Sequence, residues 1–201
     1  KTAIVRNVYN EHEQVSFQKK RTSYFEFCAW ITMSRPQVDD HNMLIIRQII
    51  ENILEKDPGA SATFQRETTI IETLISKVKE YLKDKRYLIV FDNVHDLNFW
   101  NVINHALTPN SSKSSRVIIT TRDENVAKII GDHVCKVESL SQHDPLKLFC
   151  HKVFQSNKVE KPELNGLCQE FVEKCNGVPL TIVAFASLLA RTSKTTTEWR
   201  R

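Results

Sequence analysis

The fold is decided by the stretch Lys85-Arg86-Tyr87-Leu88-Ile89-Val90-Phe91-Asp92-Asn93-Val94. Its residues from Tyr87 to Phe91 carry no charge and are of types that favour β structure. A short, continuously apolar run is typical of a strand that is buried on both faces of a parallel sheet. We therefore predict a buried strand that ends at the carboxylate of Asp92.

The position of Asp92 suggests a binding site. In open α/β sheets, ligands bind at the edge where the carboxyl ends of the strands lie. A carboxylate there is well placed to hold a Mg²⁺ ion that bridges nucleotide phosphates. An Asp that ends a strand and caps the next helix produces the same pattern, so this stretch alone supports both interpretations.

Segments of helical and strand character alternate around this strand. Helices are predicted over 3–9, 44–54, 70–82, 97–106 and 125–130, with Asp40 and Asp123 as caps. Strands are predicted over 24–32, 116–122 and, with weaker alternation, 134–138, and loops over 56–65 and 109–115. The alternation predicts a parallel, doubly wound α/β sheet.

The character of the chain changes near residue 140. From Asp144 onward only helices are predicted, over 145–154, 162–175 and 179–190. Each begins with a proline, which suits the first turn of a helix. We therefore predict an α/β domain over 1–139 and a small helical domain over 140–201.

The charge pattern argues against a nucleic-acid partner. The chain has 201 residues, is 41% hydrophobic and carries a net charge of +4. This composition is compatible with a packed core. The basic clusters at 19–21 and 83–86 are too short to form a nucleic-acid-binding stripe.

The cysteines and histidines indicate a reducing, cytoplasmic environment without a zinc site. The chain has five cysteines, which is an odd number, and its sequence contains no Cys-x-x-Cys motif. The seven histidines lack metal-ligand spacing. The most apolar stretch, Val178 to Ala190, is shorter than a membrane span.

Three polar elements are expected to meet at one edge of the sheet. In a P-loop, a lysine such as Lys1 reaches the β- and γ-phosphates and a hydroxyl such as that of Thr2 binds Mg²⁺. Asp92 is the second element. The third is Thr120-Thr121-Arg122, whose guanidinium can stabilise a terminal phosphate or be an ordinary surface group. A fourth element, Cys175 to Leu180, also fits a plain connection between helices.

The order of these elements resembles the nucleotide-binding NB-ARC domain of plant disease-resistance proteins of the nucleotide-binding, leucine-rich-repeat class. Lys1-Thr2 matches the end of that family's P-loop, and Leu88 to Val94 resembles its kinase-2, or Walker B, segment. Ser115 to Arg122 resembles the next strand with its sensor arginine, and Cys175 to Leu180 matches the Gly-Leu-Pro-Leu motif. Similar segments occur at 24–34 and 137–154, and Ala29-Trp30 and Glu198-Trp199 suit the coiled-coil class.

The resemblance implies a fold and a site. The fold is a P-loop NTPase-like parallel sheet whose central first strand is truncated, followed by an all-helical ARC subdomain. The implied ligands are ADP or ATP with Mg²⁺. The residues implied to bind the nucleotide are Lys1, Thr2, Arg122 and Pro179, and those implied to bind the metal are Thr2 and Asp92.

The resemblance also implies a switch in plant innate immunity that is off with ADP and on with ATP. The implied partners are the nucleotide, other copies of the same protein, and a pathogen effector or a guarded host protein. Membrane contact would be peripheral at most, at the plasma membrane. A signalling or scaffold protein with a degenerate nucleotide site is an alternative of a different class. A helicase-like or transcription-regulating ATPase would need a basic surface that this composition does not show.

Two departures from the family pattern shape the expectations. The glycine-rich loop and the strand before it are missing, so we expect a fragment of a longer protein, here called the parent protein. The strands over 88–91 and 116–121 should then face a missing neighbour, which would make the isolated chain unstable and weak in ATP binding. Secondly, Asn93 occupies the position of a second acid. A neutral amide cannot act as a catalytic base, so we expect slow hydrolysis at most.

Overall fold

The computed structural model describes residues 1–17, 24–33, 41–64, 70–95, 97–107, 114–140 and 144–201. The chain divides into two compact units, Lys1–Cys135 and Lys136–Arg201. The division falls slightly before the predicted domain boundary at residue 139. The predicted cap Asp40, the basic cluster at 19–21 and most of the loop at 109–115 lie outside the described residues.

The first unit contains a parallel sheet, as predicted. Its strands are β1 (Phe27–Thr32), β2 (Tyr87–Val94) and β3 (Arg116–Thr121), in the order β1-β2-β3. The central strand β2 pairs with β1 from Phe27 opposite Tyr87 to Thr32 opposite Asp92. The side chains of Tyr87 to Phe91 are buried, which confirms the prediction made from the apolar run.

The expectation that β2 and β3 face a missing neighbour is wrong. The two strands pair directly with each other, with Leu88 opposite Arg116 and Phe91 opposite Ile119. This pairing supplies hydrogen-bond partners to backbone groups of β2 that would otherwise be buried without any. Strand β3 is one of the two outer strands of this sheet; its Arg116 is exposed and its central residues are half-buried.

Six helices are described in the first unit. They are α1 (Thr2–Phe17), α2 (His41–Lys56), α3 (Ser61–Phe64), α4 (Ile71–Leu82), α5 (Asn98–Ala106) and α6 (Glu124–Ile130). The predicted helices are confirmed, and the Asp123 carboxylate caps α6 by accepting from the backbone N–H groups of Asn125 and Val126.

Some predicted bounds are wrong. The predicted loop at 56–65 contains a 3-10 turn, Pro58–Ala60, and helix α3, because Ala60 is buried and anchors the segment. The first strand begins at Phe27 rather than at Tyr24. The predicted strand over 134–138 is also wrong, since this segment is largely exposed and pairs with none of the described strands.

The alternation of side chains along β2 places helices on both faces of the sheet. Tyr87, Ile89 and Phe91 belong to the core formed with α2, α4 and α5. Leu88 and Val90 belong to a smaller core on the other face, which includes Tyr9 of α1. Full burial of such a side chain stabilises the fold by about 1.5–3 kcal/mol. This two-sided burial explains why β2 has an uninterrupted apolar sequence.

The second unit is helical, as predicted. Its helices are α7 (Asp144–Phe154), α8 (Asn165–Lys174, preceded by a 3-10 turn over Pro162–Leu164), α9 (Pro179–Leu189) and the short, unpredicted α10 (Thr196–Trp199). Its core includes Phe149, Cys168, Ile182 and Trp199. Across the described ranges, no helix combines the length and apolarity needed to cross a membrane.

Candidate functional site

Asp92 is a buried carboxylate at the carboxyl end of β2, with 6% of its surface exposed. Its Oδ1 accepts hydrogen bonds from Thr2 Oγ1 at 2.8 Å and from Thr120 Oγ1 at 2.6 Å. A buried carboxylate needs such donors, because otherwise its desolvation is costly. Asp92 therefore joins the start of α1 to the ends of β2 and β3.

Lys1 and Thr2 lie beside the carboxyl edge of the sheet. Lys1 Nζ donates to the carbonyl oxygen of Thr121 at 2.7 Å, although the two residues are 120 positions apart. The first backbone hydrogen bond of α1 runs from Val5 N to Lys1 O. The N–H groups that precede it, together with the helix dipole, favour an anion at this end of α1. The structure thus places a cationic side chain, a hydroxyl and a helix N-terminus around Asp92.

Thr120 is a member of this network, although the sequence pointed to Arg122 as the functional residue of that polar element. Its hydroxyl accepts from the backbone N–H of Asn93 at 3.0 Å and donates to Asp92. The hydroxyl of the next residue, Thr121, donates to Val94 O at 2.8 Å. The sequence does show two hydroxyl residues at the end of the strand before Arg122. The site role in this element was nevertheless predicted for the arginine.

Arg122 and Pro179 stand apart from these contacts. Arg122 follows β3 directly, at the same edge of the sheet, but its side chain is exposed and is not part of the Asp92 network. Pro179 is the first residue of α9 and belongs to the second unit. Before it, Gly177 has a φ of 66°, and its carbonyl accepts from Leu140 N at 2.8 Å.

Asn93 occupies an irregular point in β2. It has a left-handed backbone with a φ of 68°. Phe91 lies opposite Ile119 and Val94 lies opposite Thr121, so β2 carries one extra residue there, which defines a β-bulge. The Asn93 side chain donates from Nδ2 to Met33 O at 3.3 Å and lies 3.0 Å from His95 Nε2.

The oxygen atoms at Asp92 fit a magnesium ion. Carboxylate and hydroxyl oxygens are the hard ligands that Mg²⁺ prefers. Two ligands at right angles on an octahedral ion of this size lie about 3 Å apart, close to the 2.8 Å between Thr2 Oγ1 and Asp92 Oδ1. Among the described residues, no group of three or more His, Cys, Asp and Glu side chains is arranged to hold a metal. An ion at this position would therefore take its other ligands from phosphate and water.

The four buried cysteines are poorly placed to act as reactive groups. Cys28, Cys150, Cys168 and Cys175 are buried and Cys135 is exposed, all as free thiols. Burial raises the pKa of Cys28 to about 11 and that of Cys168 to about 12. Because the thiolate is the nucleophile, these buried groups are poorly suited to thiol chemistry.

Comparison with known proteins identifies relatives along the whole chain. The profile of the NB-ARC domain family matches residues 1–159. The chain is 35% identical to Disease resistance RPP13-like protein 4 of Arabidopsis thaliana, over 100% of the chain and 22% of that protein. It is 31% identical to Disease resistance protein RGA5 of Oryza sativa subsp. japonica, over 99% of the chain and 17% of that protein. It is also 31% identical to Disease resistance protein RPM1 of Arabidopsis thaliana, over 89% of the chain and 19% of that protein. The chain thus spans only 17% to 22% of the length of these relatives.

Proposed function

This chain belongs to the NB-ARC domain family, and on that premise we propose that it is the ADP/ATP-binding switch of a plant immune receptor. Its relatives carry names that assign them to disease resistance. The single observation that carries the nucleotide part of the proposal is the hydrogen bond between Thr2 Oγ1 and Asp92 Oδ1. It brings together the hydroxyl and the carboxylate that a magnesium nucleotide requires.

Each residue of the site has a distinct role in the proposal. Lys1 and the first N–H groups of α1 bind phosphate oxygens, because both present positive charge at the sheet edge. Thr2 and Asp92 hold the magnesium ion, which neutralises charge on the terminal phosphates. Arg122, exposed at the same edge, binds the terminal phosphate. We place the helical domain, which contains Pro179, at 140–201, after the α/β domain at 1–139.

The nucleotide acts as a switch ligand. ADP holds the inactive state and ATP favours the active state, and each shifts the balance only by the difference in its affinity for the two states. A shift from 1:99 to 99:1 requires a difference of about 5.5 kcal/mol. Any hydrolysis of the bound ATP is slow and serves only to return the switch to its ADP state.

The wider assembly belongs to the parent protein, which we place in the cytoplasm. In its ATP state it associates with further copies of itself and signals the presence of a pathogen effector, sensed directly or through a guarded host protein. A scaffold protein with a degenerate nucleotide site is the competing hypothesis. It is favoured by one observation, the amide at position 93 in place of an acid.

The test is the nucleotide content of the purified parent protein. The protein is denatured, and the released nucleotide is identified by ion-exchange chromatography. We expect close to one ADP per chain in the wild type and little in Asp92→Ala. Asp132→Ala, at an exposed position, is the matched control and should retain ADP. Wild-type protein that holds no nucleotide, and gains none when incubated with Mg-ADP, would support the scaffold hypothesis instead.

A further inference from the structure

The bulge in β2 depends on one residue that contacts two neighbouring strand ends. Asn93 lies directly after Asp92, and its φ of 68° is in the left-handed region. Among residues with a side chain, asparagine is one of the few that adopt this region readily. The bulge interrupts the strand register between Phe91 and Val94. It therefore changes the direction of the backbone that follows the carboxylate of Asp92.

The side-chain amide of Asn93 has a defined orientation. Met33 O, which follows β1, is a carbonyl oxygen and can only accept, so the group 3.3 Å from it must be the –NH₂. The same –NH₂ lies 3.0 Å from His95 Nε2, which must therefore accept as well. Met33 O is an obligate acceptor, so the side chain at position 93 has to donate to it, and His95 Nε2 accepts in the tautomer that this amide selects.

The backbone of Asn93 sets the direction of a second hydrogen bond. Its N–H donates to Thr120 Oγ1 at 3.0 Å, which occupies the acceptor side of that hydroxyl. The hydroxyl proton is then directed to Asp92 Oδ1, 2.6 Å away. Asn93 therefore acts on the site carboxylate through Thr120, while its amide fastens the bulge to the end of β1.

We propose that Asn93 is a positioning residue for the Asp92 carboxylate, and that the amide is required there as a hydrogen-bond donor. This inference rests on the proposed nucleotide site. It differs from the interpretation of Asn93 as a degenerate catalytic acid. An aspartate in its place would point carboxylate oxygens at Met33 O and would lose both donated hydrogen bonds, and the resulting repulsion would shift the bulge and Asp92 with it.

The test uses the parent protein and three variants. Asn93→Asp keeps the size of the side chain and tolerates the left-handed backbone, but it removes the donor. Asn93→Gly adopts the backbone without strain and removes the whole amide. Asn101→Asp introduces the same charge at an exposed position of α5 and is the matched control. The affinity for ADP is measured by calorimetry in Mg²⁺ and in EDTA, and phosphate release from ATP is measured in parallel.

Mg²⁺ should raise the affinity of the wild type for ADP, and we expect this increase to be about tenfold smaller in Asn93→Asp. A tenfold change corresponds to the loss of one hydrogen bond in the site. Affinity in EDTA should stay within error of the wild type, and phosphate release should not rise. Asn93→Gly should show a smaller loss in the same direction, because water can occupy the vacated position. The control Asn101→Asp should match the wild type in every measurement.

Three results would overturn the inference, and each has a different signature. An Asn93→Asp protein with an unchanged gain from Mg²⁺ and faster phosphate release would make position 93 a degenerate acid. Equal losses of affinity in Mg²⁺ and in EDTA would show a general structural role. A wild-type protein that binds no nucleotide would refute the proposed function and the inference together, whereas in the other two cases the proposed function would remain.

Discussion

Thr2 Oγ1 donates a 2.8 Å hydrogen bond to Asp92 Oδ1 across 90 positions of sequence. The contact joins the first turn of α1 to the end of the central strand β2. The same oxygen of Asp92 also receives a hydrogen bond from Thr120 at the end of β3. Three elements that are remote in the chain therefore meet at one buried carboxylate, and this meeting point is the basis of the predictions that follow.

Thr2→Val should weaken Mg-dependent nucleotide binding in the parent protein. Valine keeps the size of the side chain but has no hydroxyl to offer either Asp92 or a magnesium ion. We expect ADP affinity in Mg²⁺ to fall about tenfold, which corresponds to about 1.4 kcal/mol. Calorimetry in Mg²⁺ and in EDTA measures the change. Thr63→Val, at an exposed position of α3, is the control and should bind as the wild type does.

Asp92→Asn should remove most of the benefit that Mg²⁺ gives to nucleotide binding. The amide oxygen still accepts hydrogen bonds from Thr2 and Thr120, so the fold should be retained, but the negative charge is lost. Replacement of a magnesium ligand should cost about 100-fold or more in Mg-dependent affinity. Far-UV circular dichroism checks the fold, and titration of ADP at a series of Mg²⁺ concentrations measures the effect. Asp132→Asn, which is exposed, should leave the titration unchanged.

Gly177→Ala should destabilise the second unit. Gly177 has a φ of 66°, and a Cβ placed on it would overlap the carbonyl oxygen of Leu140. Both effects are strains that alanine cannot relieve, and together they should cost at least about 1–3 kcal/mol of unfolding free energy. Urea denaturation, followed by far-UV circular dichroism, measures the loss.

Gly166→Ala provides the matched comparison for Gly177→Ala. Gly166 lies in α8, and a Cβ there would meet no heavy atom within 4 Å apart from its own helix backbone and its chain neighbours. Alanine is favoured over glycine inside a helix by about 0.5–1 kcal/mol, so this variant should be more stable than the wild type. Similar losses in both variants would show that the Leu140 contact is unimportant.

The stability of the first unit should decline between about pH 9 and pH 11. Burial is the main cause that raises the pKa of Cys28 from 9.0 to about 11, with a smaller contribution in the same direction from Glu13 and an opposing one from Lys56. In this interval the folded state keeps a proton that the unfolded state loses, so the contribution of Cys28 is complete below pH 9 and disappears as the pH rises to about 11.

The contribution of Cys28 can be isolated by comparing the wild type with Cys28→Ala in urea at each pH. Other groups also titrate in this range, and those that do not interact with Cys28 are common to both proteins and cancel in the difference. The wild type should lose stability more steeply than the variant from pH 9 upward. Parallel curves would mean that the Cys28 thiol titrates equally in the folded and unfolded states.

The local sequence pattern predicted the central strand β2 correctly. It was wrong for a segment whose structure depends on pairing with another strand. Tyr87 to Phe91 form a strand because an apolar run of this kind can only be buried from both sides. The segment 134–138 has only a weak alternation of apolar and polar residues and pairs with none of the described strands. Such an alternation does not by itself provide a strand to pair with. The loop predicted at 56–65 contains α3, a helix too short to produce a recognisable repeat.

The sequence by itself determined the parallel α/β fold, the succession of helices in the second unit and the candidacy of Lys1, Thr2 and Asp92. Periodicity and residue type are local properties, and the carboxyl edge of a parallel sheet is a general binding position. Only the tertiary structure decided that Thr120 shares the Asp92 carboxylate and that Arg122 stays outside this network. It alone also decided that the Asn93 amide donates to Met33. These contacts depend on strand register and on one bulged residue, and both are set by hydrogen bonds between segments that are distant in the chain.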